Sequence, residues 1–187
     1  GAMHDDDGRV TLDGFYDNVR PISDAERADW AKLPFDEAAY AESLGVDALG
    51  GGEAGYDAPE RIWARPTLDC NGISGGYAGA GSKTVLPADA TAKISMRLVP
   101  QQDPVKIVNA FEEFVRSRTP DGIAAKVSRH AAARPVLLNR NSPAMQAGRD
   151  AFTEAFGKET AMIRCGASVP ITELIQRILG IEAVLLG

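Results

Sequence analysis

Three groups of residues in this sequence have the types and spacing to do chemistry. The first is the stretch Asn71-Gly-Ile-Ser-Gly-Gly-Tyr-Ala-Gly-Ala-Gly-Ser82, whose glycines could let a backbone cradle a phosphate. It lacks the strand-to-helix context and the Lys-Ser/Thr ending of a phosphate loop, because Lys83-Thr84 runs on into the strand-like Val85-Leu86-Pro87. A turn-rich connection between strands is the better reading. The second is Arg164-Cys-Gly-Ala-Ser-Val-Pro170, small residues leading into a helix with proline near its start. Backbone N–H groups there, with the Ser168 hydroxyl beside them, suit a carboxylate or a developing oxyanion. On the residues alone, Ser168 as a plain cap of the helix is the better reading. No base lies near it, which makes it a poor nucleophile. The third is the pair Arg97 and His130, each on the polar side of a strand-like run. Both could reach a ligand on the open side of a sheet, or both could be solvated surface.

Other candidates carry less. His4 and His130 are isolated, whereas a catalytic metal centre needs several His and carboxylate ligands at close spacing. The residues themselves therefore provide no metal centre. Asp5-Asp6-Asp7-Gly8 lacks the spaced later ligands and terminal Glu of a calcium loop and reads as a solvated turn. Cys70 and Cys165 sit in no paired spacing and read as reduced thiols.

The elements that must position these residues follow from periodicity and punctuation. Ser23 with Glu26 has capping-box spacing and opens a helix over 24–33. A second helix over 36–44 ends at Gly45, and Gly50-Gly51-Gly52 with Gly55 makes a flexible loop. Ala92, Ile94, Met96 and Leu98 alternate with Lys93, Ser95 and Arg97, the period of a strand with one buried face. Asp103-Pro104 opens a helix whose stripe is Ile107, Val108, Phe111, Phe114 and Val115. Residues 123–130 read as another strand, with His130 on the parity of Lys126 and Ser128. Strand, strand, helix, strand predicts an α+β fold, a small antiparallel sheet with helices on one face. Beyond Arg134-Pro135 the pattern shifts to a helix from Ser142-Pro143 to Gly157, a strand over 161–164, a helix from Pro170 to Gly180, and a strand over 184–186. That alternation predicts a partial α/β segment, and an end in an apolar run suggests a segment cut within a domain.

Composition is that of an ordinary soluble chain: 187 residues, 44% apolar, 25% charged. The formal charge of -6, with no concentrated Lys/Arg patch, argues against nucleic-acid binding. No run is apolar for long enough to span a bilayer, and no signal peptide opens the sequence, so no membrane partner and a cytoplasmic location are expected.

A resemblance joins these observations. Arg65-Pro-Thr-Leu-Asp-Cys-Asn-Gly-Ile-Ser-Gly-Gly-Tyr77, Gly81-Ser-Lys-Thr-Val-Leu-Pro87 and Ile94-Ser-Met-Arg-Leu-Val-Pro100, in that order, resemble the lid domain of the dizinc metallopeptidases and deacylases of the carnosinase, carboxypeptidase G, acetylornithine deacetylase and succinyl-diaminopimelate desuccinylase type. Residues 4–10 and 14–21 resemble that family's connection within the lid. Residues 164–170 are similar to its Arg-Glu-Gly-Gly-Ser-Ile-Pro turn, with Cys165 where that pattern has Glu and Ala167 where it has its second Gly, and residues 185–187 to its next catalytic-domain strand.

The resemblance implies a metal-dependent peptidase or amidohydrolase cleaving dipeptides or N-acyl amino acids, homodimeric through the lid. Two divalent metal ions, zinc first among them, would be bound by residues outside this segment, which alone would be inactive. It also implies three regions: a connection at 1–64, a lid and dimerisation domain at 65–134, and part of a catalytic domain at 135–187. Carried over, Thr84 and Arg97 would bind the substrate carboxylate or carbonyl and His130 would approach the substrate from the lid. Ser168, with the Ala167 backbone before it, would hold the substrate's C-terminal part. The alternative is a stand-alone, non-catalytic dimerisation and substrate-clamping module.

Overall fold

The computed structural model describes residues 2–166 and 169–185. Among the described residues, five of the six helices start where a side chain satisfies free N–H groups of the first turn, the helix from Pro170 being the exception. Ser23 and Glu26 form a reciprocal capping box on α1 (Asp24–Trp30), and Asp36 caps α2 (Glu37–Ser43). Asp57 and Glu60 form a second capping box on α3 (Ala58–Ala64). This third helix was not expected from the sequence, although Asp57-Ala-Pro-Glu60 carries the same spacing as Ser23 to Glu26.

Strands β1 (Thr67–Gly75) and β2 (Ala90–Arg97) pair antiparallel from Thr67↔Arg97 to Gly75↔Ala90, with a bulge between Cys70 and Gly72. Residues 71–75, expected in a connection, therefore belong to a strand; the connection proper is 76–89. The alternation along β2 holds: Ile94 and Met96 turn inward, Ser95 and Arg97 outward. Asp103 caps α4 (Pro104–Arg118), Ser142 caps α5 (Pro143–Phe156), and α6 (Pro170–Leu179) ends at Gly180 in the left-handed conformation.

One core lies between α4 and the sheet. Ile107 and Phe114 from α4 meet Leu68 of β1, with Ile94, Met96 and Phe111 packed around them. Val10, Leu12 and Phe15 from the first residues complete it, so the N-terminal stretch supplies core rather than a covering. Phe15 is 1% exposed, and burying a side chain of that size contributes about 2 to 3 kcal/mol. Gln102, itself buried, ties the layers together: its Oε1 accepts from Val99 N–H at 2.7 Å and its Nε2 donates to the Phe15 carbonyl at 2.7 Å. A second cluster, Ile22, Trp30 and Ala64, joins α1 to α3, with the Trp30 and Trp63 rings edge to face at 5.3 Å.

The result is an α+β fold with a two-stranded antiparallel sheet and six helices among the described residues. Three expected strands are not formed: residues 123–130, 161–164 and 184–185 carry no ladder, and Leu186 lies outside the described residues. Alternation prepares a segment for a sheet, but a strand exists only where a neighbour takes up its N–H and C=O groups. Here β1 and β2 pair only with each other among the described residues. Thus the 135–185 region shows the two helices expected of an α/β segment without its strands.

Candidate functional site

Arg97 closes β2, and the outward parity of the strand sends its side chain away from the α4 core. Its Nη1 donates to the Gly166 carbonyl at 2.8 Å, across 69 positions of sequence. The end of β2 and Gly166, which belong to two separate candidates in the sequence, are therefore adjacent in space.

The stretch leading into that turn is irregular but well anchored. Trp30 Nε1 donates to the Met162 carbonyl at 3.1 Å. Arg164 forks onto Glu26, Nε to Oε1 at 2.8 Å and Nη2 to Oε2 at 2.9 Å, with side chains only 8% and 11% exposed. Gly166 lies against the Ile62 carbonyl of α3, where a Cβ would collide. Burial alone would raise the Glu26 pKa. The Ser23 N–H and hydroxyl, together with Arg164, outweigh it and hold the carboxyl below its ordinary value.

A second buried carboxylate organises the N-terminal half. Glu53 accepts from Arg9 Nη1 at 2.7 Å and from Arg65 Nε and Nη2 at 2.6 and 2.8 Å. The Arg65 guanidinium lies 4.3 Å from the Tyr56 ring centroid and 5.3 Å from that of Tyr16. Burial pushes the Tyr16 hydroxyl's pKa up, and that oxygen accepts from Val10 N–H at 3.0 Å.

Of the residues singled out from sequence, Arg97 is joined to the 164–166 stretch, whereas Thr84 and His130 stand apart. Thr84 is exposed in the 76–89 connection, and His130 is exposed in the extended run after α4. No hydrogen bond links either to Arg97 among the described residues. The run carrying His130 is fixed by its neighbour: Arg129 donates to both Glu112 oxygens at 2.7 and 2.8 Å and to Asn109 Oδ1 at 2.9 Å. Ala167 and Ser168 lie outside the described residues. The acidic turn is a turn: Asp5 Oδ1 accepts from Asp7 N–H and Arg9 N–H.

An open cleft of about 410 Å³ lies elsewhere, between Arg134 to Leu137 and the Glu173 and Arg177 side of α6. Among the described residues no three His, Cys, Asp or Glu side chains converge, so these donors do not fit a metal centre. Nor, among them, is any helix long and apolar enough to cross a membrane.

Sequence reasoning did not find Glu26, Trp30 or Glu53 as organising residues. Glu26 was visible as a capping partner, but its second role depends on an arginine 138 positions away.

Comparison with known proteins gives a consistent answer. The peptidase dimerisation-domain model of the M20 family matches residues 3–123. The human Beta-Ala-His dipeptidase is 29% identical over 197 residues, covering 100% of this chain and 37% of that protein. The Cys-Gly metallodipeptidase of Saccharomyces cerevisiae is 28% identical over 195 residues, covering 100% of this chain and 39% of that protein. Among solved structures, an M20 family metallo-carboxypeptidase from Sulfolobus solfataricus superposes with a TM-score of 0.82 at 30% identity, covering 96% of this chain and 40% of that one. The chain thus spans well under half the length of the relatives it matches.

Proposed function

Because the chain belongs to the M20 peptidase dimerisation-domain family, we propose that it supplies substrate binding and dimerisation to a metal-dependent peptidase that hydrolyses the amide bond of dipeptides or N-acyl amino acids. The observation that carries this reading is the Arg97 contact with the Gly166 carbonyl. It puts a permanent cation beside the turn that leads to Ser168, as recognition of a carboxylate or polarised carbonyl requires. Thr84 and His130 belong to the same substrate set in our reading, acting across the dimer, which fits their separation from Arg97 within one chain. The catalytic metal ions, in our reading two and zinc, are held by residues outside this sequence, because the donors described here form no cluster. No step of the hydrolysis runs through this segment; it binds and orients.

Dimerisation rests on the family match over residues 3–123; Ile73, 78% exposed on β1, and Leu86, 92% exposed in the 76–89 connection, are apolar side chains open to a partner. The division at 64/65 and 134/135 remains our proposal for where connection, lid and catalytic portion meet.

The test is hydrolysis of a panel of dipeptides and N-acyl amino acids, with zinc or manganese, by the full-length gene product and by the 187-residue chain. Activity in the former alone, falling about a hundredfold on Arg97→Ala, supports the reading. Metal-dependent turnover by the 187-residue chain would place a metal site within it and overturn the assignment. Binding without turnover by the full-length product would favour the non-catalytic clamping module.

A further inference from the structure

Glu26 and Trp30 are four positions apart on α1, one turn on the same face, and both are buried. That face is where the 162–164 stretch runs: Trp30 holds the Met162 carbonyl and Glu26 holds Arg164 in a two-pronged pair. The capping box fixes Glu26 in turn, since Ser23 N–H and Oγ both donate to its Oε2. Two further contacts finish the path, the Ile62 carbonyl against Gly166 and the Arg97 donation to the Gly166 carbonyl.

The Arg164 pair is poor value as a stabilising device. Its Nη1 is buried with no partner among the described residues, and a buried charge with an unmet donor subtracts from stability. What the pair delivers is a defined position for Arg164, and through it for the two residues that precede Ala167 and Ser168.

We propose that Glu26 and Trp30 are positioning residues for substrate binding, setting from α1 the course of residues 162–166 and hence the subsite that receives the substrate's C-terminal carboxylate. This rests on the reading above that Arg97 receives the substrate's carboxylate.

The test uses the full-length gene product with Glu26→Gln and Trp30→Phe. Glutamine still serves a capping box, and phenylalanine keeps an aromatic ring while removing the Nε1–H donor, so both variants retain α1. Two readouts are taken. The first is steady-state kinetics on a dipeptide with a free C-terminal carboxylate and on its C-terminal amide. KM for the acid should rise about tenfold, as expected when one charge-assisted hydrogen bond to the carboxylate is weakened. Its kcat, and KM for the amide, should stay within about twofold. Equal KM changes for acid and amide would show general loosening and overturn the proposal.

The second readout is limited trypsinolysis, which needs no activity. Cleavage after Arg164, whose side chain is 8% exposed in the Glu26 pair, should accelerate at least about tenfold, while β1 and β2 stay uncut. Unchanged cleavage after Arg164 overturns the positioning role. If wild-type protein hydrolyses no dipeptide, the functional reading fails, and the cleavage result still decides whether α1 holds this stretch.

Discussion

Glu53→Gln keeps the shape of the side chain and removes its charge at the most enclosed ion pair of the N-terminal half. The carboxylate is 4% exposed, and its partner Arg65 is 7% exposed. In the variant, one of the two oxygens that now accept from Arg9 and Arg65 becomes an amide NH2 facing a guanidinium, and the Arg65 charge stays buried beneath Tyr16 and Tyr56. Stripping one partner from a buried pair costs about 3 to 5 kcal/mol, and an isosteric replacement belongs at the low end, about 3 kcal/mol. Arg9 gives the contrast. Its side chain is 46% exposed and its guanidinium lies 4.4 Å from the Tyr16 ring centroid, so Arg9→Ala forfeits a screened pair and that ring contact, worth about 1 kcal/mol together.

Urea unfolding followed by the fluorescence of Trp30 and Trp63 measures both variants. At about 2 to 4 °C per kcal/mol for a chain of this size, Glu53→Gln should also melt roughly 6 to 12 °C below wild type. The combined change Glu53→Met with Arg65→Met should lie closer to wild type than Glu53→Gln does, because it removes the stranded charge along with its partner. A Glu53→Gln loss no larger than that of Arg9→Ala would refute the reasoning.

Three further outcomes follow from the same geometry. Glu26 has a folded pKa below its ordinary value of 4.5. The unfolded chain therefore takes up the proton first as pH falls, and the stability this group contributes is present above pH 4.5 and lost below it; acid unfolding of Glu26→Gln should depend less steeply on pH in that range. Gly8 has φ +73 and packs against the Gly52 carbonyl, so Gly8→Ala, combining a left-handed backbone with a collision, should destabilise by about 2 kcal/mol or more in the same urea assay. Arg129→Ala, by releasing the three hydrogen bonds to α4, should speed cleavage after Lys126 by dilute trypsin while leaving α4 intact; unchanged cleavage there would mean that another contact orders the run carrying His130.

The sequence made helix starts legible wherever the information was local. Ser23 with Glu26, Asp103 with Pro104 and Ser142 with Pro143 each place the capping atom and its N–H within a few residues, and the terminal Gly157 and Gly180 mark ends by the same short-range logic. The helix at 58–64 had an equally local signal in Asp57 and Glu60. The glycines just before it drew the reading toward a loop. Residues 123–130 and 161–164 have strand parity but no ladder, since pairing depends on a neighbour that side-chain alternation cannot reveal.

The candidate site divides along the same line. Arg97 was legible because strand parity is local, and its outward direction follows from Ile94 and Met96 turning inward. Its neighbour was not, because the Gly166 carbonyl is an ordinary backbone atom 69 positions away. Glu26, Trp30 and Arg164 show why such pairings escape a sequence: each has a sufficient local explanation, as cap, core residue and turn residue. An amphipathic face of α1 explains Trp30 whether or not its indole N–H reaches Met162, and a capping box explains Glu26 whether or not Arg164 arrives. Only the three-dimensional path of residues 162–166 makes these roles one. Glu26→Gln, which keeps the cap and weakens the latch, is therefore the substitution that separates the two levels of explanation.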